Sequence, residues 1–317
     1  MKDVLSQGEF GLIEQIRRQF GDIAHEGMTG IGDDCAILPQ GNGCSWVVTT
    51  DMLVEDVHFL RAHISPFDLG YKSLAVNLSD VAAMGVAPCA SFLSIALPSD
   101  LPSDWMEAFL AGYHALSARY RVPLLGGDTT SSKEGLSISV TAMGQGDESL
   151  LKRRGDAIPG DMILVSGRLG NSAQGLHDLL SGRLDSPFIA IHHHPEPAVE
   201  EGVWLGAQSS VHAMMDLSDG LASDLKHILK ASRVGAEVSV EKIPTRVSVE
   251  LAVTGGEDYQ LLCTAEAAAV PLLQQQFEAR FGRPLYAIGQ IIADEPRIIW
   301  RQNEREIHPD WKGFTHF

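Results

Sequence analysis

Apolar positions along the chain repeat at two periods. Phe10, Leu12, Ile13, Ile16 and Phe20 fall three and four apart, which predicts an amphipathic helix over residues 9–20. Residues 47–50 read as a short buried strand ending in Asp51. Residues 69–84 are mostly apolar, with Pro absent and Gly rare after Gly70, and predict a helix. Residues 90–97 predict a strand stopped by Pro98, and residues 105–120 a second helix. Leu136, Ile138 and Val140 alternate with Ser137, Ser139 and Thr141, the period of a half-buried strand. Between 145 and 160 the chain turns to Gly, Asp, Lys and Arg and reaches Pro159-Gly160-Asp161. The pattern then restarts, with a strand at 162–165, a Gly-rich turn, a helix from about Ser172, a strand at 213–215 and a helix from about Leu221. This order predicts an α/β (α+β) protein in two parts of similar size, residues 1–148 and 149–317.

Composition narrows the function classes. Asp and Glu number 41 against 24 Lys and Arg, a formal charge of −17, and the longest basic run is Lys152-Arg153-Arg154. A duplex-binding surface needs clustered cations to displace counterions from phosphates, so nucleic acid is not expected as a partner. No apolar run approaches the ~20 residues of a membrane span, and the N-terminus lacks the apolar core of a signal peptide. Cys35, Cys44, Cys89 and Cys263 form no CxxC pair. The expectation is a reduced, cytoplasmic protein without a membrane partner.

Many acids share one context, beside Gly or just past a short apolar run. They are Gly32-Asp33-Asp34, Thr49-Thr50-Asp51, Asn77-Leu78-Ser79-Asp80, Gly126-Gly127-Asp128 and Asp216-Leu217-Ser218-Asp219-Gly220. Each could simply cap a helix or shape a turn. Were several to converge, their repulsion would forbid full ionisation without a counter-ion. Mg²⁺ suits such hard oxygen ligands, and neighbouring Ser and Thr add further oxygens. Asp80 is the strongest case. It lies in an otherwise apolar helix, on the face of Ser73 and Asn77, where a carboxylate needs a partner. Asp216 to Gly220 open a helix whose exposed amides favour an anion such as phosphate. Gly126-Gly127 would let backbone approach a phosphate closely. Neither a GxxxxGK[ST] loop nor a protein-kinase HRD or DFG set is present. His192-His193-His194, followed by Pro195, reads as a loop or helix end rather than a zinc site, and His58 lies close enough to Asp51 to reach the same crevice.

In this order, Gly30-Ile-Gly-Asp-Asp-Cys-Ala36, Thr49-Thr-Asp-Met-Leu-Val-Glu-Asp-Val-His-Phe59, Lys72 to Gly85, Gly126-Gly-Asp-Thr-Thr130, Asp216-Leu-Ser-Asp-Gly220, Gly255-Gly-Glu-Asp-Tyr259 and Asp310-Trp-Lys-Gly313 make a specific pattern. It resembles the thiamine-monophosphate kinase family, within the superfamily of aminoimidazole ribonucleotide synthetase and selenophosphate synthetase. The resemblance implies transfer of the ATP γ-phosphoryl group to thiamine phosphate with Mg²⁺. It implies a two-domain fold like aminoimidazole ribonucleotide synthetase, whose N-terminal domain binds ATP and Mg²⁺ and pairs into a homodimer. Carried over by motif, Asp34, Thr49, Thr50, Asp51, Asp80, Asp128, Asp216 and Asp219 would bind metal. Gly127, Asp128, Arg154 and Ser218 would contact ATP, and His58, Glu257 and Trp311 the thiamine phosphate. The chain departs from the family pattern at Gln260, at Thr315 and at Ala198, where an acid, an Asp and an Arg are usual. The alternatives are another ATP-using enzyme of the superfamily and a non-catalytic nucleotide or metal sensor.

Overall fold

The structure, a computed structural model, describes residues 8–23 and 26–314. Its first half contains α1 (Gly8–Phe20), β1 (Ala36–Gly41), β2 (Cys44–Val54), α2 (Pro66–Ala83), β3 (Pro88–Leu97), α3 (Trp105–Tyr120), β4 (Leu124–Ser131) and β5 (Ser137–Asp147). These strands form a sheet in the order β1-β2-β5-β3-β4, antiparallel except between β3 and β4. The second half contains β6 (Met162–Val165), α4 (Asn171–Leu180), α5 (Pro187–His193), α6 (Val199–Gly206), β7 (Val211–Asp216), α7 (Leu221–Ser232) and β8 (Gly235–Ser239). It continues with α8 (Val249–Thr254), β9 (Leu261–Ala265), α9 (Val270–Phe281), β10 (Tyr286–Ile292), β11 (Ile298–Gln302) and β12 (Arg305–Ile307). The second sheet runs β12-β11-β8-β10-β6-β9-β7. The expected mixture of helices and sheets is what the chain forms.

Helix α2 organises the first half. Ser65 accepts a hydrogen bond from the Asp68 amide at 3.0 Å, and Pro66 fills the first turn, where no amide partner is needed. This cap starts the helix one turn before the apolar run that predicted it. Gly85, at φ +80°, ends it, with its amide on the Ala82 carbonyl at 2.9 Å. All residues of α2 from Leu69 to Ser79 are buried. Leu74 and Leu78 share a core with Phe109 and Leu116 of α3 and with Ile138 and Val140 of β5. Each such side chain contributes roughly 1.5–3 kcal/mol by leaving water. The two helices touch backbone to backbone: a Cβ on Gly70 would lie 1.9 Å from the Phe109 carbonyl oxygen.

Strand β2 runs past Asp51 because it pairs with β5 along its whole length, from Cys44 opposite Asp147 to Val54 opposite Ser137. Asp51 is therefore inside a strand rather than at its end. Strand β4 is an exposed edge. Gly127 there has φ +147°, and a Cβ would lie 1.6 Å from the Leu93 carbonyl oxygen, so packing against β3 already demands glycine. Helix α1 forms where its periodicity predicts, yet Phe10, Ile13, Ile16 and Phe20 remain exposed. No helix among the described residues is long and apolar enough to cross a membrane.

Gly70→Val tests the α2–α3 contact. Because backbone lies on both sides, the helices must separate, and chemical denaturation should show a loss of at least about 3 kcal/mol. A loss below about 1 kcal/mol would show that the contact is not tight.

Candidate active site

Acids from both halves converge at one point. Asp34 precedes β1, Asp80 lies near the end of α2, and Asp216 ends β7. Each offers a carboxylate oxygen, and the three atoms lie within 4.8 Å of one another. Among the described residues this is the one group of three or more acids, histidines or cysteines placed to share a cation. Thr49 donates to Asp80 at 2.5 Å, and Ser79 donates to Asp216 at 2.5 Å. The helical face read from the sequence also holds, since Asn77 Oδ1 accepts from the Asp51 amide at 3.1 Å.

The electrostatics are those of a site short of positive charge. Burial, then Asp51, Asp216 and Asp34, push the Asp80 carboxyl well above its usual range. Burial and Asp34 raise Asp216 to about 8, and burial, Asp219 and Asp34 raise Asp51 to about 6. Burial and Asp34 raise Asp33 to about 7 against the pull of Arg154. The Arg154 guanidinium is salt-bridged to Asp34 at 2.6 Å, and its amide donates to Asp33 at 3.2 Å. Among the described residues no Lys or Arg forms a salt bridge with Asp80, so a simple ion pair does not account for its burial in the apolar helix. A cage of hard carboxylate and hydroxyl oxygens that cannot all ionise unaided fits a divalent cation.

Beside this cage lies a cavity of 820 Å³ lined in part by Asp51, Asp80, His58, Ser218, Asp219 and Glu257. His58 Nδ1 accepts from the Val54 amide at 3.0 Å, so neutral His58 carries its proton on Nε2. Glu257 is paired with Lys72 at 2.8 Å and with His192 at 3.1 Å. Burial pushes its carboxyl up, but Lys72 and His192 outweigh that and hold it at about 2.

Other expected residues lie elsewhere. Thr49 and Asp51 share one face of β2, and the pleat turns Thr50 to the other, where its hydroxyl donates to the Val140 carbonyl at 3.2 Å. Asp128 is exposed on β4, in register through Ser94 and Ser139 with Met52, and so faces away from Asp51. Trp311 packs edge-on against Trp300 with ring centroids 5.0 Å apart, while Lys312, Gly313 and Phe314 line the cavity. The helix-start amides expected to bind phosphate are partly taken. Asp224 accepts from the amides of Asp219 at 3.1 Å and Gly220 at 2.9 Å, a correction that follows from the buried acid one turn into α7. Gln260 accepts from Arg283 at 2.8 Å, and Ala198 is buried at the start of α6. Thr315 lies outside the described residues.

Sequence reasoning passed over Lys72 and set His192 aside. The His192–His194 run does end a helix, as expected. The signal that could have found Lys72 is a lone charge in the same apolar helix that marked Asp80.

The chain belongs to the AIR synthase related family: residues 32–145 match its N-terminal domain and residues 158–301 its C-terminal domain. Within that family its similarity is to thiamine-monophosphate kinases, as the motifs implied. The thiamine-monophosphate kinase of Salmonella typhimurium is 37% identical, covering 98% of each chain. That of Bacillus subtilis is 35% identical, over 98% of this chain and 99% of the other. Among solved structures, AaThiL complexed with AMPPCP and TMP is 31% identical, with a TM-score of 0.84, covering 100% of this chain and 99% of that one. Escherichia coli HypE, a hydrogenase maturation protein, shares the fold at a TM-score of 0.71 and 18% identity, over 84% of this chain and 85% of its own.

The charge cluster predicts a pH dependence in chelator. Asp51 is held at about 6 against an ordinary 3.8, so it stabilises the fold fully below pH 3.8 and loses that contribution as pH rises through 6. Asp51→Asn should therefore gain on the parent protein between pH 4 and 7, by up to about 3 kcal/mol. Thermal unfolding of both proteins in EDTA measures this, and a constant difference across the window would exclude a raised Asp51 carboxyl.

Proposed function

We propose that the chain transfers the γ-phosphoryl group of ATP to the phosphate of thiamine phosphate, giving thiamine diphosphate and ADP. The observation that carries this reading is the three-acid cage beside the cavity, in a chain similar over nearly its whole length to thiamine-monophosphate kinases. The related AaThiL was solved with AMPPCP, an ATP analogue, and TMP, the pair of ligands such a reaction needs.

The acceptor phosphate is already an anion at neutral pH, so the reaction needs no strong general base. An acceptor oxygen attacks the γ-phosphorus in line, the bond to the β–γ bridging oxygen breaks, and ADP leaves. The protein's task is to place two anions together and balance their charge. Asp34, Asp80 and Asp216 would hold Mg²⁺, with Asp51, Asp219 and Thr49 as further ligands; Thr50 and Asp128 are assigned to metal by motif alone, since both lie on the face of the sheet away from Asp51. Bound there, Mg²⁺ supplies neutralisation of the phosphoryl charge. Ser218 and Arg154 are assigned to ATP, with Gly127 and Asp128 of the exposed edge strand added by motif alone; His58 and Glu257 are assigned to thiamine phosphate, with Trp311, which packs against Trp300, added by motif alone. His58 and Glu257 are supported by their place in the cavity wall.

We place the domain boundary at 148/149, supported by the end of the first sheet at Asp147 and the start of the second at Met162. We place the protein in the reducing cytoplasm, supported by four unpaired cysteines. We also infer a homodimer through the first sheet. Its edge strand β4 is open, and Met52, Leu124 and Leu125 expose apolar surface that a second copy would cover. Light scattering should give the mass of two chains, and a monomer at micromolar concentration would refute the pairing.

Purified protein with ATP, thiamine phosphate and Mg²⁺ should yield thiamine diphosphate and ADP in equal amounts by ³¹P NMR. Asp80→Asn should lose activity by a factor of about 100 or more with its fold retained. Absence of product over a range of Mg²⁺ concentrations would refute the assignment. ATP binding without turnover would favour a sensor instead.

A further inference from the structure

We propose that Lys72 and His192 are positioning residues that hold the Glu257 carboxylate in one orientation at the cavity wall, where it meets the thiamine phosphate acceptor. This rests on the assignment of Glu257 to the acceptor made above.

Lys72 lies in α2, is fully buried, and belongs to no part of the acid cage. An ammonium removed from water is costly unless paired. Its Nζ lies 2.8 Å from Glu257 Oε1 and donates to the His192 carbonyl oxygen at 3.3 Å. His192, from α5, brings Nδ1 to 3.1 Å from Glu257 Oε2 and 3.0 Å from Ser172 Oγ. An ionised carboxylate only accepts hydrogen bonds, so Nδ1 carries the hydrogen. The two carboxylate oxygens are thus held from different directions by two different helices.

The backbone adds a second constraint. Glu257 has φ +62° and Tyr259 φ +47°, unusual for residues with a Cβ, just after Gly255-Gly256. The Glu257 amide donates to the Ser218 carbonyl at 2.7 Å, tying this loop to the turn that carries Asp219. Such a conformation persists where the surroundings over-determine it. The neighbouring Asp258 is turned to another task, accepting from the amides of Gly170 at 2.6 Å and Ser172 at 3.3 Å at the start of α4. Glu257, Lys72 and His192 all line the cavity, so the arrangement faces the ligand space rather than the core. A tie that served only to join α2 to α5 would not need a strained acid on the cavity wall.

The experiment compares Lys72→Met, Lys72→Arg, Glu257→Gln and the Lys72→Met/Glu257→Gln double variant. Steady-state kinetics give the KM of each substrate, and calorimetry gives thiamine phosphate affinity without ATP. Lys72→Met should weaken the acceptor KM and Kd by about tenfold or more while the ATP KM stays within about twofold. Lys72→Arg should recover part of the loss, and the double variant should be no worse than Glu257→Gln, since the two act as one unit. His192→Phe, which removes the hydrogen bond to Oε2, should show the same acceptor-selective loss and serves if Lys72→Met does not fold. Equal effects on both KM values, or lower thermal stability with the acceptor constants unchanged, would overturn the positioning role. An unchanged acceptor KM in Glu257→Gln would instead overturn the assignment of Glu257 on which it rests.

Discussion

The meeting of Asp34, Asp80 and Asp216 is the constraint around which the rest of the protein is arranged. Three carboxylates within 4.8 Å of one another repel strongly in a buried setting. Arg154, Thr49 and Ser79 relieve only part of that repulsion. The acids come from both halves of the chain, so the contact between α2 and the end of β7 is also an electrostatic contact. The fold keeps it because the surrounding apolar packing is extensive, and the unsatisfied charge is what makes the site receptive to cations.

Helix α2 links stability to chemistry. Its apolar surface is the centre of the first core, and its close approach to α3 fixes its position to within the width of a Cβ. The same helix carries Lys72 toward the cavity and Asp80 toward the cage. Small movements of α2 would therefore disturb the acid cage and the cavity wall together. The loops after β7 and before β9 complete the arrangement, with Asp224 holding the Asp219–Gly220 turn and Ser218 holding Glu257.

Much of the architecture was legible in the sequence because local patterns decide local structure. The bounds of α3 and β6, the starts of α4 and α7, and the identity of α2 followed from periodicity and from Gly and Pro positions. The extent of β2 did not, because pairing with β5 carries that strand past Asp51. Gly127 looked like a phosphate-approach glycine, and its close neighbour in the fold is the Leu93 carbonyl. The amides after Asp216 looked open to anions, and a buried acid within the same segment accepts from two of them. In each case the deciding partner was remote in sequence or hidden by its own burial.

By itself the sequence determined many of the element types and the family, and marked the acids able to carry chemistry, since each depends on residue identity and order along the chain. Tertiary structure decided which acids meet: Asp34, Asp80 and Asp216 converge, Asp128 faces away across the sheet, and the pleat separates Thr50 from its neighbours Thr49 and Asp51. It also turned Lys72 and His192 from a core charge and a helix end into partners of Glu257. The physical reason is that charge interactions depend on distance and burial in three dimensions, and pairs such as Asp80 with Asp216 or Lys72 with Glu257 acquire both only when the two halves pack.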